Sequence, residues 1–118
     1  MSIKGIFYVS TFASDLERSK KFYGETLGWT LGTDNGHVAG FSFGTGYLVV
    51  HRETRAAESR RYAGGMHIEV SVDDAAAEHA RLSQLGVDVT ALVDQPWGER
   101  NFSFTDPDGY VWSYGQAR

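Results

Sequence analysis

The sequence predicts an α+β protein built of two tandem βαβββ modules, forming a cup-shaped mixed sheet with the helices outside. Three observations carry this. β-branched and aromatic runs alternate with two helix-like stretches, in an order that occurs twice. Landmarks in the two halves recur at nearly constant offsets. Tyr8 and His67 lie 59 residues apart, as do Asp15 and Asp74; Leu27-Gly28 and Leu85-Gly86 differ by 58, and Gly46-Tyr47 and Gly109-Tyr110 by 63. Finally, one such half exposes one apolar sheet face, so two halves bent together enclose a concave cavity.

The elements follow in order. Ile6–Ala13 is β-branched and aromatic and predicts a strand. Ser14-Asp15-Leu16-Glu17 has the form of a capping box, with Ser14 as the cap. Leu16, Tyr23 and Leu27 then fall at helical spacing until Gly28. Trp29–Thr33, His37–Phe43 and Tyr47–Arg52 read as strands, separated by the turns Asp34-Asn35-Gly36 and Gly44-Thr45-Gly46. A polar stretch follows, giving one domain over 1–118 with repeat one at 1–53, a linker at 54–65 and repeat two at 66–118. In repeat two, Met66–Val72 is a strand and Asp73/Asp74 cap a helix carrying Ala76, Ala80, Leu82 and Leu85. Gly86 ends it. Val87–Val93, Arg100–Thr105 and Tyr110–Tyr114 complete the strands, with loops at Gln95-Pro96-Trp97-Gly98 and Asp106-Pro107-Asp108-Gly109.

Composition narrows the function. The 118 residues are enough for one unstapled core. There is no cysteine, hence no disulfide, thiolate nucleophile or zinc finger, which fits a cytoplasmic protein. No apolar run is long enough for a signal peptide or a membrane span. A net charge of −4 argues against nucleic acid and anionic membranes as partners. Seven Phe, six Tyr and three Trp suggest either an aromatic-lined pocket or a Phe-rich sheet core. The sequence holds no G-x-S-x-G, Walker loop or H-E-x-x-H.

Ser14–Tyr23 (SDLERSKKFY), Leu27-Gly28-Trp29, His67-Ile68-Glu69-Val70 and Phe104-Thr105-Asp106-Pro107-Asp108-Gly109-Tyr110 resemble the vicinal oxygen chelate superfamily. That group comprises glyoxalases, bleomycin-resistance proteins and extradiol dioxygenases. The resemblance spans nearly the whole chain and is strongest with small bacterial glyoxalase-like or bleomycin-resistance-like members. It implies paired βαβββ modules, a homodimer, and in the metal-dependent members four ligands on the first and last strands of each repeat. Carried over, those positions are Tyr8, Val50, His67 and Ser113. Only His67 is a good donor; valine offers no lone pair, and neutral serine and tyrosine are weak ligands. No metal or other cofactor is therefore expected. The alternative is a divalent metal completed by His51, which alternation places opposite Val50 unless the register slips.

Strand parity sets Ser10 and Glu69 beside Tyr8 and His67. A carboxylate near an imidazole is a candidate proton-abstracting pair, or simply a hydrogen-bonded wall. Arg100 offers a cation and Trp97 a stacking face at the cavity mouth; their alternatives are a surface ion pair and loop packing. His37 and His79 read as surface residues, and Trp112 as core. The expected ligand-binding set is thus Tyr8, Ser10, Val50, His67, Glu69, Trp97, Arg100 and Ser113. Three functions compete: a metal-independent binder of a small, partly aromatic molecule; a metal-dependent glyoxalase-like lyase or isomerase, or a dioxygenase; and a dimerising scaffold whose cavity its own side chains fill.

Overall fold

The computed structural model describes residues 2–52 and 67–118; the expected linker, 54–65, lies outside the described residues. The chain divides into two units, 1–59 and 60–118. Each carries one four-stranded mixed sheet with a helix packed on one face. In the first unit, β1 (Val9–Ala13), β2 (Thr30–Asp34), β3 (Val38–Phe43) and β4 (Gly46–Arg52) are ordered β1-β4-β3-β2. In the second, β5 (His67–Ser71), β6 (Val93–Gln95), β7 (Glu99–Thr105) and β8 (Val111–Ala117) are ordered β5-β8-β7-β6. In both, the first strand pairs parallel to the last and the other neighbours are antiparallel. The duplicated α+β topology is therefore present strand for strand.

Helix α1 (Leu16–Lys21) starts at Asp15, not Ser14: Asp15 Oδ1 accepts from the Arg18 amide at 3.1 Å, while Ser14 Oγ accepts from the Arg18 guanidinium at 3.0 Å. A shorter carboxylate one residue on thus replaces the expected serine cap. Helix α2 (Ala75–Gln84) is capped in the same manner, by Asp74 Oδ1 to the Ala77 amide at 3.0 Å. Helix α1 continues as one π-helical turn, Phe22–Thr26. That turn carries Tyr23, fully buried with ring centroids 5.3 Å from Trp29 and 5.7 Å from Phe41.

The cores lie between each helix and its sheet. Ala39, Phe41, Leu48 and Val50 are buried in the first unit, and Leu82, Phe102, Phe104, Trp112 and Tyr114 in the second. Each large apolar side chain so buried stabilises by about 1.5–3 kcal/mol, and edge-on pairs such as Phe104–Tyr114 (5.0 Å) add about 0.5–1.5 kcal/mol.

Two strands fall well short of expectation, each because a partner sets its length. β1 begins at Val9 rather than Ile6: Val9 pairs with Leu48, so residues before Phe7 lie beyond the start of β4 at Gly46. Ile6 and Phe7 stay exposed, since β propensity makes no strand without a neighbour. The expected strand Val87–Val93 reduces to one bridge, Val89 to Phe104, before β6 starts at Val93. Between them the chain is strapped down by side chains. Thr90 Oγ1 accepts from the Ser103 amide at 2.8 Å, and His79 Nε2 donates to the Thr90 carbonyl at 2.9 Å. His79, edge-on to buried Phe102 at 5.1 Å, is thus a loop anchor rather than the surface residue expected.

Candidate functional site

The second unit holds an open cavity of about 700 Å³ on the sheet face away from α2. Strand alternation builds its floor. Phe102, Phe104, Trp112 and Tyr114 turn to the core, so Asn101, Ser103 and Ser113 turn outward. On the neighbouring β5, His67 and Glu69 share that face, because Glu69 pairs with Ser113. The strapped loop supplies Thr90 and Ala91, and β6 with the turn after it supplies Val93, Gln95 and Trp97.

Two hydrogen-bonded groups occupy the floor. His67 Nε2 meets Ser113 Oγ at 2.5 Å, and Ser113 Oγ meets Ser103 Oγ at 2.7 Å. Beside it, Glu69 and Glu99 hydrogen-bond each other, and Asn101 Nδ2 donates to Glu69 Oε1 at 3.2 Å and Glu99 Oε1 at 2.9 Å. Gln95 orients that amide through its Oδ1 at 3.0 Å, and Trp97 Nε1 donates to Glu99 Oε1 at 3.3 Å. The bond from Glu99, with partial burial, pushes the Glu69 carboxyl above the usual range. The same bond holds Glu99 below it, so the pair titrates as a unit.

Of the eight expected ligand-binding residues, the structure brings His67, Glu69, Trp97 and Ser113 together around this cavity. The other four lie elsewhere. Val50 is 1% exposed and pairs with Thr11 and Ala39 on the helix side of its sheet, so it is core. Ser10 pairs with Val49, and Glu69 with Ser113; the residue equivalent to Ser113 is therefore Val49, one position from Val50. Ser10 is exposed on the open face of the first sheet, bonded to His51 Nε2 at 2.9 Å. Tyr8 precedes β1, is 46% exposed and packs edge-on against Phe7 at 5.3 Å. Arg100 alternates away from the cavity with Phe102 and is held by Asp94 at 2.6 Å. Glu69 engages Glu99 and Asn101, and the His67 Nε2 is committed to Ser113, so the expected Glu69–His67 couple is not a hydrogen-bonded pair through that nitrogen.

Sequence reasoning missed Glu99, Asn101 and Ser103. Their signal was present: Glu99, Asn101 and Ser103 alternate with Arg100, Phe102 and Phe104, a polar stripe beside an aromatic one.

The residues do not fit a divalent transition metal. Among the described residues no three His, Asp or Glu side chains stand together as a metal site requires. Val50 faces the core, and the Nε2 of its neighbour His51 is engaged by the hydroxyl of Ser10. No helix of the described residues is long and apolar enough to cross a membrane.

A family model for the Glyoxalase/Bleomycin resistance protein/Dioxygenase superfamily matches residues 5–114, and the chain belongs to that superfamily. Among solved structures it is similar to TnmS3, an antibiotic binding protein from Streptomyces sp. CB03234, at 30% identity and TM-score 0.84, covering 100% of this chain and 99% of that one. A glyoxalase/bleomycin resistance protein from Streptomyces sp. CB03234 is 31% identical at TM-score 0.75, covering 92% and 97%. The bleomycin-binding protein of Streptomyces verticillus, solved with copper(II)-bleomycin, shares the fold at 20% identity and TM-score 0.75, covering 99% and 100%.

Proposed function

We propose that this protein binds a small, partly aromatic molecule in the cavity of its second unit, without a metal ion. The observation carrying the reading is the cavity itself: about 700 Å³, with apolar Ala91, Val93 and Trp97 at its walls and a fixed polar floor. That is the size and character of a small-molecule pocket. The donor set supports metal independence: among the described residues no three His, Asp or Glu side chains group as a metal site, and the His67 Nε2 is engaged by Ser113. Similarity to an antibiotic binding protein at 30% identity over the full chain favours binding over turnover. A cavity of this volume also disfavours the self-filled scaffold.

The reading includes a cytoplasmic homodimer. The support for the dimer is exposed Ile3, Ile6 and Phe7 ahead of β1, the outermost strand of its sheet. Light scattering at micromolar concentration should give twice 13.0 kDa.

The deciding experiment joins elemental analysis of purified protein to a thermal-shift screen of planar aromatic compounds. A folded-state binder raises the melting temperature. The expected result is no stoichiometric transition metal, with ligand-dependent stabilisation. One metal per subunit, lost in His67→Ala, overturns the reading in favour of a metal-dependent enzyme.

A further inference from the structure

We propose that this cavity selects planar aromatic ligands bearing a protonated amino or amidino group, with Glu69 and Glu99 jointly seating that cation. The inference rests on the binding function above and deepens it by naming the chemical class of ligand.

The argument is the cavity's division into two unlike ends. One end is apolar: Ala91, Val93 and Trp97, the last 68% exposed with its ring open to a partner. The other end presents two carboxyls. The two ends are coupled, because the Trp97 indole nitrogen donates to Glu99 Oε1 and so holds an aromatic face next to the acidic group. A ligand spanning both ends has a flat ring and a hydrogen-bond-donating cation attached directly to it.

Backbone and amide geometry hold the carboxyls in place. Both lie over Gly115: a Cβ there would fall 2.9 Å from Glu69 Oε2 and 3.0 Å from Glu99 Oε2. Any larger residue at 115 displaces them. Asn101 spends one amide group on both, tying each Oε1 and leaving the two Oε2 atoms facing one small space.

The charges around that space are few. Among the described residues the titratable groups lining the cavity are His67, Glu69 and Glu99, with no lysine or arginine. The nearest arginines along β7 and β8, Arg100 and Arg118, are both engaged by Asp94. In the empty cavity the two carboxyls stand against each other, which pushes Glu69 above the usual carboxylate range and holds Glu99 below it. A ligand ammonium or amidinium seated between the two Oε2 atoms would hydrogen-bond both carboxyls at once.

The test compares two three-ring probes on the whole protein: 9-aminoacridine, protonated at neutral pH, and acridone, neutral and of the same shape. Tryptophan quenching and titration calorimetry are the readouts. The expected result is 9-aminoacridine binding at least about tenfold tighter than acridone, with the advantage lost in Glu69→Gln and Glu99→Gln. Acridone affinity stays unchanged in both variants. Gly115→Ala, which keeps both charges but moves them, loses the advantage too and serves if a glutamine variant fails to fold. Equal affinity for the two probes, or an advantage that survives the variants, overturns the cation seat while leaving aromatic binding standing. Failure of both probes to bind overturns the cation seat and the binding function together.

Discussion

The turn Asp106-Pro107-Asp108-Gly109 ends with β8, the strand that carries Ser113 into the cavity floor, and one carboxylate holds the turn together. Asp106 is 6% exposed, and its Oδ1 accepts from the amides of Asp108 and Tyr110, each at 2.9 Å. Asp106→Ala removes the shared acceptor, and with it both hydrogen bonds, while leaving the donors where they are. Hydrogen bonds to a charged group contribute about 1.5–3 kcal/mol each, and the Tyr110 amide, only partly buried, recovers some of that from water. The net loss should be about 3 kcal/mol. At this chain length it lowers Tm by roughly 12 °C. Asp106→Asn keeps an Oδ1 acceptor in the same place and should lose only about 1 kcal/mol. Urea unfolding of the three proteins reads both values, with an unchanged slope showing that only stability moved. An alanine variant within 1 kcal/mol of wild type, or an asparagine variant as unstable as the alanine one, would falsify the assignment of the turn to that carboxylate.

Three further outcomes are expected. Val50→Ala should cost about 2 kcal/mol of folding stability, because Val50 is 1% exposed, yet leave probe affinity unchanged; a binding defect at constant stability would return it to the site. His67→Ala should weaken ligand binding by about 1–3 kcal/mol in calorimetry, with a melting temperature near wild type, since the imidazole bonds to Ser113 at the floor of an open cavity. By carboxyl-carbon NMR, Glu69 should titrate above the ordinary range and Glu99 below it, with Glu69 returning toward the ordinary value in Glu99→Ala. The signs oppose in stability. The Glu69 contribution is present below its unfolded pKa and lost as pH rises through the folded one. The Glu99 contribution is present above its unfolded pKa and lost as pH falls through the folded one. The titration curves, rather than Tm against pH, are therefore the measurement.

What the sequence made legible was whatever depends on local pattern. The duplicated strand order, the helix-capping aspartates' neighbourhoods and the outward stripe of His67 and Glu69 all follow from alternation and spacing, and all are present. What it hid depends on pairing between distant strands. Offsets of 59 and 63 aligned Val50 with Ser113, but pairing sets Ser10 against Val49 and Glu69 against Ser113, and a slip of one residue exchanges the faces of a strand. Arg100 was misplaced for the same reason: its face is fixed by β8, where it pairs with Gln116, whose side chain accepts from the first amide of α2. Glu99 was passed over because β7 begins one residue earlier than expected, at Glu99 rather than Arg100.

The same register sets side chains of different volume on the open faces of the two sheets. Pairing makes Tyr47 equivalent to Val111, Phe12 to Ser71 and His51 to Gly115. In the first unit those positions are bulky and fill their own face. The Tyr47 ring lies over Gly40, where a Cβ would collide with its hydroxyl, and Phe12 packs on His51 with ring centroids 5.6 Å apart. In the second unit a valine, a serine and a glycine stand in their place, and the space they vacate is where Glu69 and Glu99 extend over the backbone. Topology alone treats the two faces alike; side-chain volume at three paired positions separates them. Substitutions that leave the duplication intact can therefore reshape either face.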